Sequence, residues 1–213
     1  MPDKKIYTIR DGGSDEQELW ERFLEGDLNA WHEIFKCYYE DLYGYGLKLS
    51  NQKELTRDCI HQLFVTIWDR KDKLAQVDSI KAYLLASLRR SLLKKITKRR
   101  KYYVTGEDSP DLSTKIQFSP EVILIRDEVK AEKVAKLYEA IDQLPDRQKE
   151  VLYLKYFNGM SYEEIEAILS IQYQSIKNHV YRAISKLRDI MGDEISKIAI
   201  SITPIWLFFE FYL

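Results

Sequence analysis

The chain has 213 residues, of which 45% are hydrophobic and 31% charged, with a formal net charge of −1. This length accommodates one large or two small domains, and the low glycine and proline content favours helices. Because the sequence has no glycine-rich phosphate loop, no nucleophile motif and no metal-ligand spacing, we predict a protein that is not an enzyme and that binds neither a cofactor nor a metal.

The two cysteines, Cys37 and Cys59, are not spaced as metal ligands, and no signal peptide precedes them. We therefore expect reduced thiols, with Cys59 in the core, and a cytoplasmic protein.

Helical periodicity runs from about residue 14 to residue 103, with breaks near residues 25–27, 50–52 and 76–79. This pattern predicts four helices. Residues 104–120 mix Gly, Pro, Ser, Thr and Asp, as linkers do, and a second helical unit follows. We predict an all-α fold of two helical domains joined by a flexible linker. The predicted segments are an N-terminal extension (1–17), a first domain (18–103), the linker (104–120), a second domain (121–191) and an apolar tail (192–213).

The charges are unevenly distributed along the chain. Between Lys81 and Tyr103 there are nine basic residues and no acidic one. A run of this kind forms either a solvated helix face or a nucleic-acid contact. Tyr83, Tyr102 and Tyr103 are near enough in sequence to stack on unpaired bases, or they belong to the core and the helix end.

The second domain carries a predicted helix-turn-helix. Pro145 is expected at the first position of a helix that Gly159 ends, and Ser161 with Glu164 forms a capping-box pattern ahead of a helix over Tyr162–Leu169. Residues 170–172 form the turn. In the next helix the apolar positions recur at spacings of three and four, and they are Ile176, Val180, Ala183, Ile184 and Leu187.

The opposite face of that helix is polar and basic, which either meets only water or reads DNA in the major groove. Its candidate DNA-binding residues are Gln174, Ser175, Lys177, Asn178, Tyr181 and Arg182. Two residues depart from the usual motif. Glu166 stands where a small residue is usual, and Ser170 stands where glycine is usual. A carboxylate at Glu166 either pairs with Lys177 or Arg182 or loosens the helix packing.

Several segments of the sequence resemble a known family. "LPDRQKEVLYLKYFNGMSYEEIEAILSIQYQSIKNHVYRAISKLR" is similar to the C-terminal DNA-binding domain of extracytoplasmic-function (ECF) sigma factors, and "YQSIKNHVYRAI" is similar to the Bacteroidota branch. "DLNAWHEIFKCYYEDLYGYGLKLSNQKELTRDCIHQLFVTIWDRKDKL" and "SIKAYLLASLRRSLLKKITKRRKYY" resemble the N-terminal domain of the same family. The resemblance covers about residues 18–190 and implies promoter recognition and melting together with core RNA polymerase.

The resemblance also implies roles for particular residues. The polymerase-docking residues would be Asp58, His61, Gln62, Val65 and Asp69, although the family often has Gln-Glu at the positions of His61 and Gln62. Phosphates of the minus-ten region would be held by Arg89, Arg90, Lys94, Lys95, Lys98 and Arg99. In the preceding loop, residues 74–79, Gln76 and Asp78 are the candidates for contact with a flipped base.

The implied partners are the coiled coil of the largest polymerase subunit, the flap of the second-largest subunit, and promoter DNA in double- and single-stranded form. An anti-sigma factor or a DNA-bound recruiting protein is a further possible partner. The alternative is a helix-turn-helix regulator or adaptor with weak sequence specificity, recruited by another DNA-bound protein.

The apolar tail has its own pattern. The charge-free run of residues 198–209 is shorter than the ~20 residues that a membrane-spanning helix needs. We expect it to dock on this protein or on a partner, with binding to a membrane surface as the alternative.

Overall fold

The computed structural model describes residues 14–103 and 128–192. The predicted linker and the part of the apolar tail beyond Gly192 lie outside the described residues. The side chains of Arg99, Tyr102 and Tyr103 lie outside them too. Within this part of the chain every regular element is helical, which confirms the all-α prediction.

Four long helices form the first compact unit, and they are α1 (Ser14–Leu24), α2 (Leu28–Ser50), α3 (Lys53–Asp69) and α4 (Ile80–Tyr103). A short 3₁₀ turn, Lys71–Lys73, follows α3. The three predicted breaks separate these helices. Helix α1 includes residues 14–17, which the sequence had assigned to the N-terminal extension.

The residues that flank α2 determine where this helix begins and ends. Asp27 caps α2, because its side chain accepts a hydrogen bond from the Asn29 backbone N–H at 2.8 Å. The Arg22 guanidinium donates to the same carboxylate at 2.6 Å and lowers the pKa of Asp27. At the other end of α2, Asn51 adopts the left-handed conformation that ends a helix, with φ of 51°.

The core of the first unit lies where α2, α3 and α4 pack against one another, with α1 against α2. The helices approach closely at Gly46, which faces Thr56, Leu88 and Leu92. Cys59 is fully buried in this core, as predicted, and it is unpaired. The first unit also contains an aromatic cluster in which Trp31 contacts Phe23, Phe64 and Trp68.

The second unit contains α5 (Glu128–Asp142), α6 (Asp146–Leu152), a π-helical turn (Tyr153–Phe157), α7 (Tyr162–Leu169) and α8 (Tyr173–Met191). Helices α5 and α6 both pack on α8. The predicted bounds of α7 and the predicted start of α8 are confirmed.

One detail of the second unit differs from the prediction. Pro145 is the N-cap of α6, with extended backbone, and Asp146 is the first helical residue. The helix then widens into the π turn, in which the Asn158 N–H bonds to the Tyr153 carbonyl at 3.1 Å. Gly159 ends it with φ of 70°, a conformation that glycine adopts without strain.

Candidate nucleic-acid and partner interfaces

Helix α8 separates its apolar and polar residues as the sequence predicted. Ile176, Val180, Ala183 and Leu187 are buried, whereas Ile184 is half-buried. The candidate reading residues Gln174, Lys177, Asn178, Tyr181 and Arg182 are all exposed, and Ser175 is half-buried. Tyr181 is 69% exposed, which is unusual for so large a ring and leaves it available to a partner.

Helix α7 leads into α8 through the turn of residues 170–172. Both bonds of the predicted capping box are present, since Glu164 N–H donates to Ser161 Oγ at 3.1 Å and Ser161 N–H donates to Glu164 Oε2 at 2.7 Å. Ser170 takes the left-handed conformation at φ of 53°. Glu166 is half-buried and forms no ion pair with the described residues, so the structure does not show the predicted pairing with Lys177 or Arg182.

Two tyrosines at the starts of α7 and α8 form a cluster that sequence reasoning missed. The Tyr162 and Tyr173 rings meet edge to face at a centroid distance of 5.6 Å. Lys155 Nζ lies 4.6 Å from the Tyr162 ring centroid, and Lys177 Nζ lies 5.8 Å from that of Tyr173. Each tyrosine is the first residue of its helix. This shared position is the feature of the sequence that could have predicted the cluster.

Burial changes the acid–base properties of two residues near this surface. It raises the pKa of Tyr156 to about 12. Desolvation, aided by the positive charges of Arg147 and Arg182, lowers the pKa of His179 below its ordinary value. At neutral pH the cations on α8 are therefore its lysine and arginine side chains.

Helix α3 presents a polar outer face. The predicted docking residues Asp58, His61, Gln62, Val65 and Asp69 are all exposed. The other side of the helix buries Cys59, Ile60, Leu63, Phe64 and Ile67. Val65 is an apolar side chain that is 40% exposed in the middle of this face.

The side chains of five of the six predicted phosphate-binding cations of α4 are described, and these five differ in exposure. Arg90, Lys94 and Lys98 are exposed and follow one another at four-residue intervals along a single row. Arg89 and Lys95 are half-buried.

A pocket of about 300 Å³ opens between α3 and α4 beside this row. Polar and apolar side chains both line it, and the lining residues are Gln62, Leu63, Thr66, Ile67, Arg70, Leu74, Tyr83, Ser87, Arg90 and Ser91. From the loop of residues 74–79 only Leu74 lines it. Gln76 and Asp78 are exposed and are not among the lining residues. Sequence reasoning missed Arg70, Ser87 and Ser91, because only packing reveals which polar residues of two helices share a cavity.

Among residues 14–103 and 128–192, no group of three or more His, Cys, Asp or Glu side chains is arranged to hold a metal ion. None of the helices in these ranges is long and apolar enough to cross a membrane.

Residues 135–187 match the family model "Sigma-70, region 4", so the second unit is a sigma-type helix-turn-helix domain. Sequence relatives cover more of the chain. The RNA polymerase sigma-H factor of Pseudomonas aeruginosa is 24% identical over 180 residues, which are 79% of this chain and 89% of that protein. The ECF RNA polymerase sigma factor SigX of Bacillus subtilis is 23% identical over 175 residues, covering 76% and 88%. The family model and these relatives support the prediction, made from the sequence, of an ECF-type RNA polymerase sigma factor.

Two solved structures share the fold. CnrH in complex with the cytosolic domain of CnrY aligns with a TM-score of 0.55 and 17% identity, covering 83% of this chain and 96% of that one. The sigma factor RpoE in complex with the anti-sigma factor NepR from Bartonella quintana aligns with a TM-score of 0.55 and 20% identity, covering 77% and 98%. These comparisons do not address the Bacteroidota-like branch, which stays a prediction.

Proposed function

We propose that this chain is a sigma factor that binds core RNA polymerase and directs promoter-specific transcription initiation through promoter recognition and melting. The observation that carries this proposal is the alignment of sigma factors over most of this chain and most of their own length. A stand-alone helix-turn-helix regulator has no need of the first unit. The chemistry of RNA synthesis belongs to the polymerase, and this chain contributes binding energy.

Helix α8 reads the minus-thirty-five element in this proposal. An exposed helix fits the major groove, where Asn178 or Gln174 can pair with adenine, and where Lys177 or Arg182 can contact guanine or phosphate. Each good base contact discriminates by about 1–3 kcal/mol. The same unit docks on the flap of the second-largest subunit.

The outer face of α3 docks on the coiled coil of the largest subunit. It offers two carboxylates, Asp58 and Asp69, to a basic partner surface, with exposed Val65 available for apolar contact. Gln62 belongs both to this face and to the pocket lining, so the polymerase and the opened DNA strand would meet along one edge of α3.

The row of Arg90, Lys94 and Lys98 holds phosphates of the minus-ten region, and the adjoining pocket receives an unpaired base. At about 300 Å³ the pocket is at the small end of the ligand-pocket range. Tyr83 provides a ring for stacking. Gln76 and Asp78 contact the strand outside the pocket.

We place the protein in the cytoplasm, where its polymerase is. An anti-sigma factor or a DNA-bound recruiting protein controls its access to polymerase, and the apolar tail docks on this chain or on that partner. Deletion of residues 195–213 tests the role of the tail, since unchanged solubility, partner binding and transcription would contradict docking.

The test of the main proposal is reconstitution of initiation. Purified chain is titrated into core polymerase, and the holoenzyme is then assayed on promoters identified by sequencing the DNA that it occupies in cells. Asp58→Ala should weaken core binding, whereas Glu40→Ala, which removes an exposed acid from α2, should not. A chain that binds DNA and regulates without core polymerase would favour the alternative of a regulator or adaptor.

The minus-ten contacts have a separate signature. The slope of log affinity against log salt concentration is negative, and each phosphate contact that is lost on single-stranded DNA reduces its magnitude by about 0.7. Lys94→Ala should reduce the slope by about this amount. Lys36→Ala, which removes an exposed cation from α2, is the matched control and should leave the slope unchanged.

A further inference from the structure

Helix α1 is joined by hydrogen bonds to the segment that connects α3 with α4. Trp20 Nε1 donates to the carbonyl of Ala75 at 3.1 Å, and Gln76 Nε2 donates to the carbonyl of Gln17 at 3.5 Å. At the end of the segment, the backbone N–H of Ile80 donates to Glu16 Oε1 at 2.8 Å. These three bonds join α1 to two adjacent residues of the loop, Ala75 and Gln76, and to the first residue of α4, Ile80.

Trp20 also contacts the pocket wall directly. Its side chain is fully buried, and its ring meets the Tyr83 ring edge to face at a centroid distance of 5.5 Å. Tyr83 is a lining residue of the pocket. A single side chain of α1 therefore holds both the loop backbone, at Ala75, and the aromatic wall.

Glu16 has a second partner that fixes its carboxylate. The Tyr38 hydroxyl donates to Glu16 Oε1 at 3.0 Å, and the Tyr38 side chain is buried. Burial together with the nearby Glu16 charge raises the pKa of Tyr38, so this hydroxyl keeps its proton and remains a donor. The carboxylate in turn accepts from the first backbone N–H of α4, where a negative charge is favoured.

We propose that Glu16 and Trp20 of α1 are positioning residues that hold the pocket between α3 and α4 in the form that captures an unpaired base. This inference rests on the proposed function of the pocket. It assigns to α1 a part in promoter melting. Loss of either residue loosens the loop without removing a DNA contact, so the effect falls on strand opening and not on polymerase binding.

The test uses the full chain in holoenzyme. Trp20→Phe removes the N–H donor and retains an aromatic ring. Trp31→Phe is the matched control, because the rings of Trp20 and Trp31 both contact Phe23. Trp20→Phe should lower open-complex formation on duplex promoter by about threefold to tenfold, the factor that corresponds to one net hydrogen bond. Permanganate reactivity of unpaired thymines measures this opening. Core binding should be unchanged, and a template with a pre-opened minus-ten region should restore transcription.

A second pair of variants controls for general loss of stability. Glu16→Ala should reproduce the opening defect, and Glu16→Gln should remain close to wild type because an amide oxygen still accepts both bonds. Equal losses in Trp20→Phe and Trp31→Phe, or no opening defect in Trp20→Phe and Glu16→Ala, would overturn the positioning role while the wild-type holoenzyme still initiates. Failure of the wild-type chain to bind core polymerase would instead overturn the proposed function.

Discussion

Gly46→Ala should destabilise the first unit, because three helices meet at this glycine. A Cβ atom there would lie 2.7 Å from Thr56 Cγ2 and 3.3 Å from one methyl group each of Leu88 and Leu92. Thr56 is β-branched, and its hydroxyl is held by the Gln52 carbonyl at 2.9 Å and by Ser50 Oγ at 2.8 Å. The methyl group that would have to move is therefore fixed in place.

The magnitude follows from two opposing effects. Overpacking a core typically costs about 1–3 kcal/mol. Alanine gains about 1 kcal/mol over glycine in a helix interior. We expect a net loss of about 1 kcal/mol, which lowers the melting temperature of a unit of this size by about 4–8 °C.

Urea unfolding followed by tryptophan fluorescence measures this loss, because Trp20, Trp31 and Trp68 all lie in the first unit. A Trp206→Phe background removes the signal of the tail. Thr56→Ser deletes the methyl group that the new Cβ would meet and keeps the hydroxyl. Gly46→Ala should therefore lower the free energy of unfolding by less in that background. A Gly46→Ala protein as stable as its parent, or the same cost with and without Thr56→Ser, would show that the close approach does not constrain the core.

Three further predictions concern the second unit. Ser161→Ala should cost about 1 kcal/mol of helix stability through loss of the cap, seen as faster amide hydrogen exchange in α7, and unchanged exchange would contradict it. Ser170→Gly should stabilise the unit by about 1 kcal/mol in thermal unfolding, because glycine adopts positive φ without strain. Folding lowers the pKa of His179 below its ordinary value of 6.5. The neutral imidazole therefore stabilises the folded state above pH 6.5, and this stabilisation is lost as the pH falls through the lower folded-state pKa. His179→Gln should flatten the decline of the melting temperature between pH 7.5 and pH 5, and an unchanged decline would count against this explanation.

Some site residues are placed by interactions between near neighbours in the sequence, and others are placed by packing between helices. The exposed face of α8 follows from helical periodicity, so Asn178 and Arg182 were predicted to lie on it, and they do. The exposure of the cations on α4 did not follow from the sequence, because a count of basic residues does not give burial. Arg90, Lys94 and Lys98 are exposed, whereas Arg89 and Lys95 are half-buried.

The sequence by itself determined the helices, their breaks and the helix-turn-helix, because caps, turns and apolar periodicity act between residues a few positions apart. The capping box at Ser161 and the left-handed turn at Ser170 are of this kind. Only the tertiary structure decided where the pocket lies and what holds it. The bonds from Trp20 to Ala75 and from Glu16 to Ile80 join residues 55 and 64 positions apart, and contacts at that separation follow from packing.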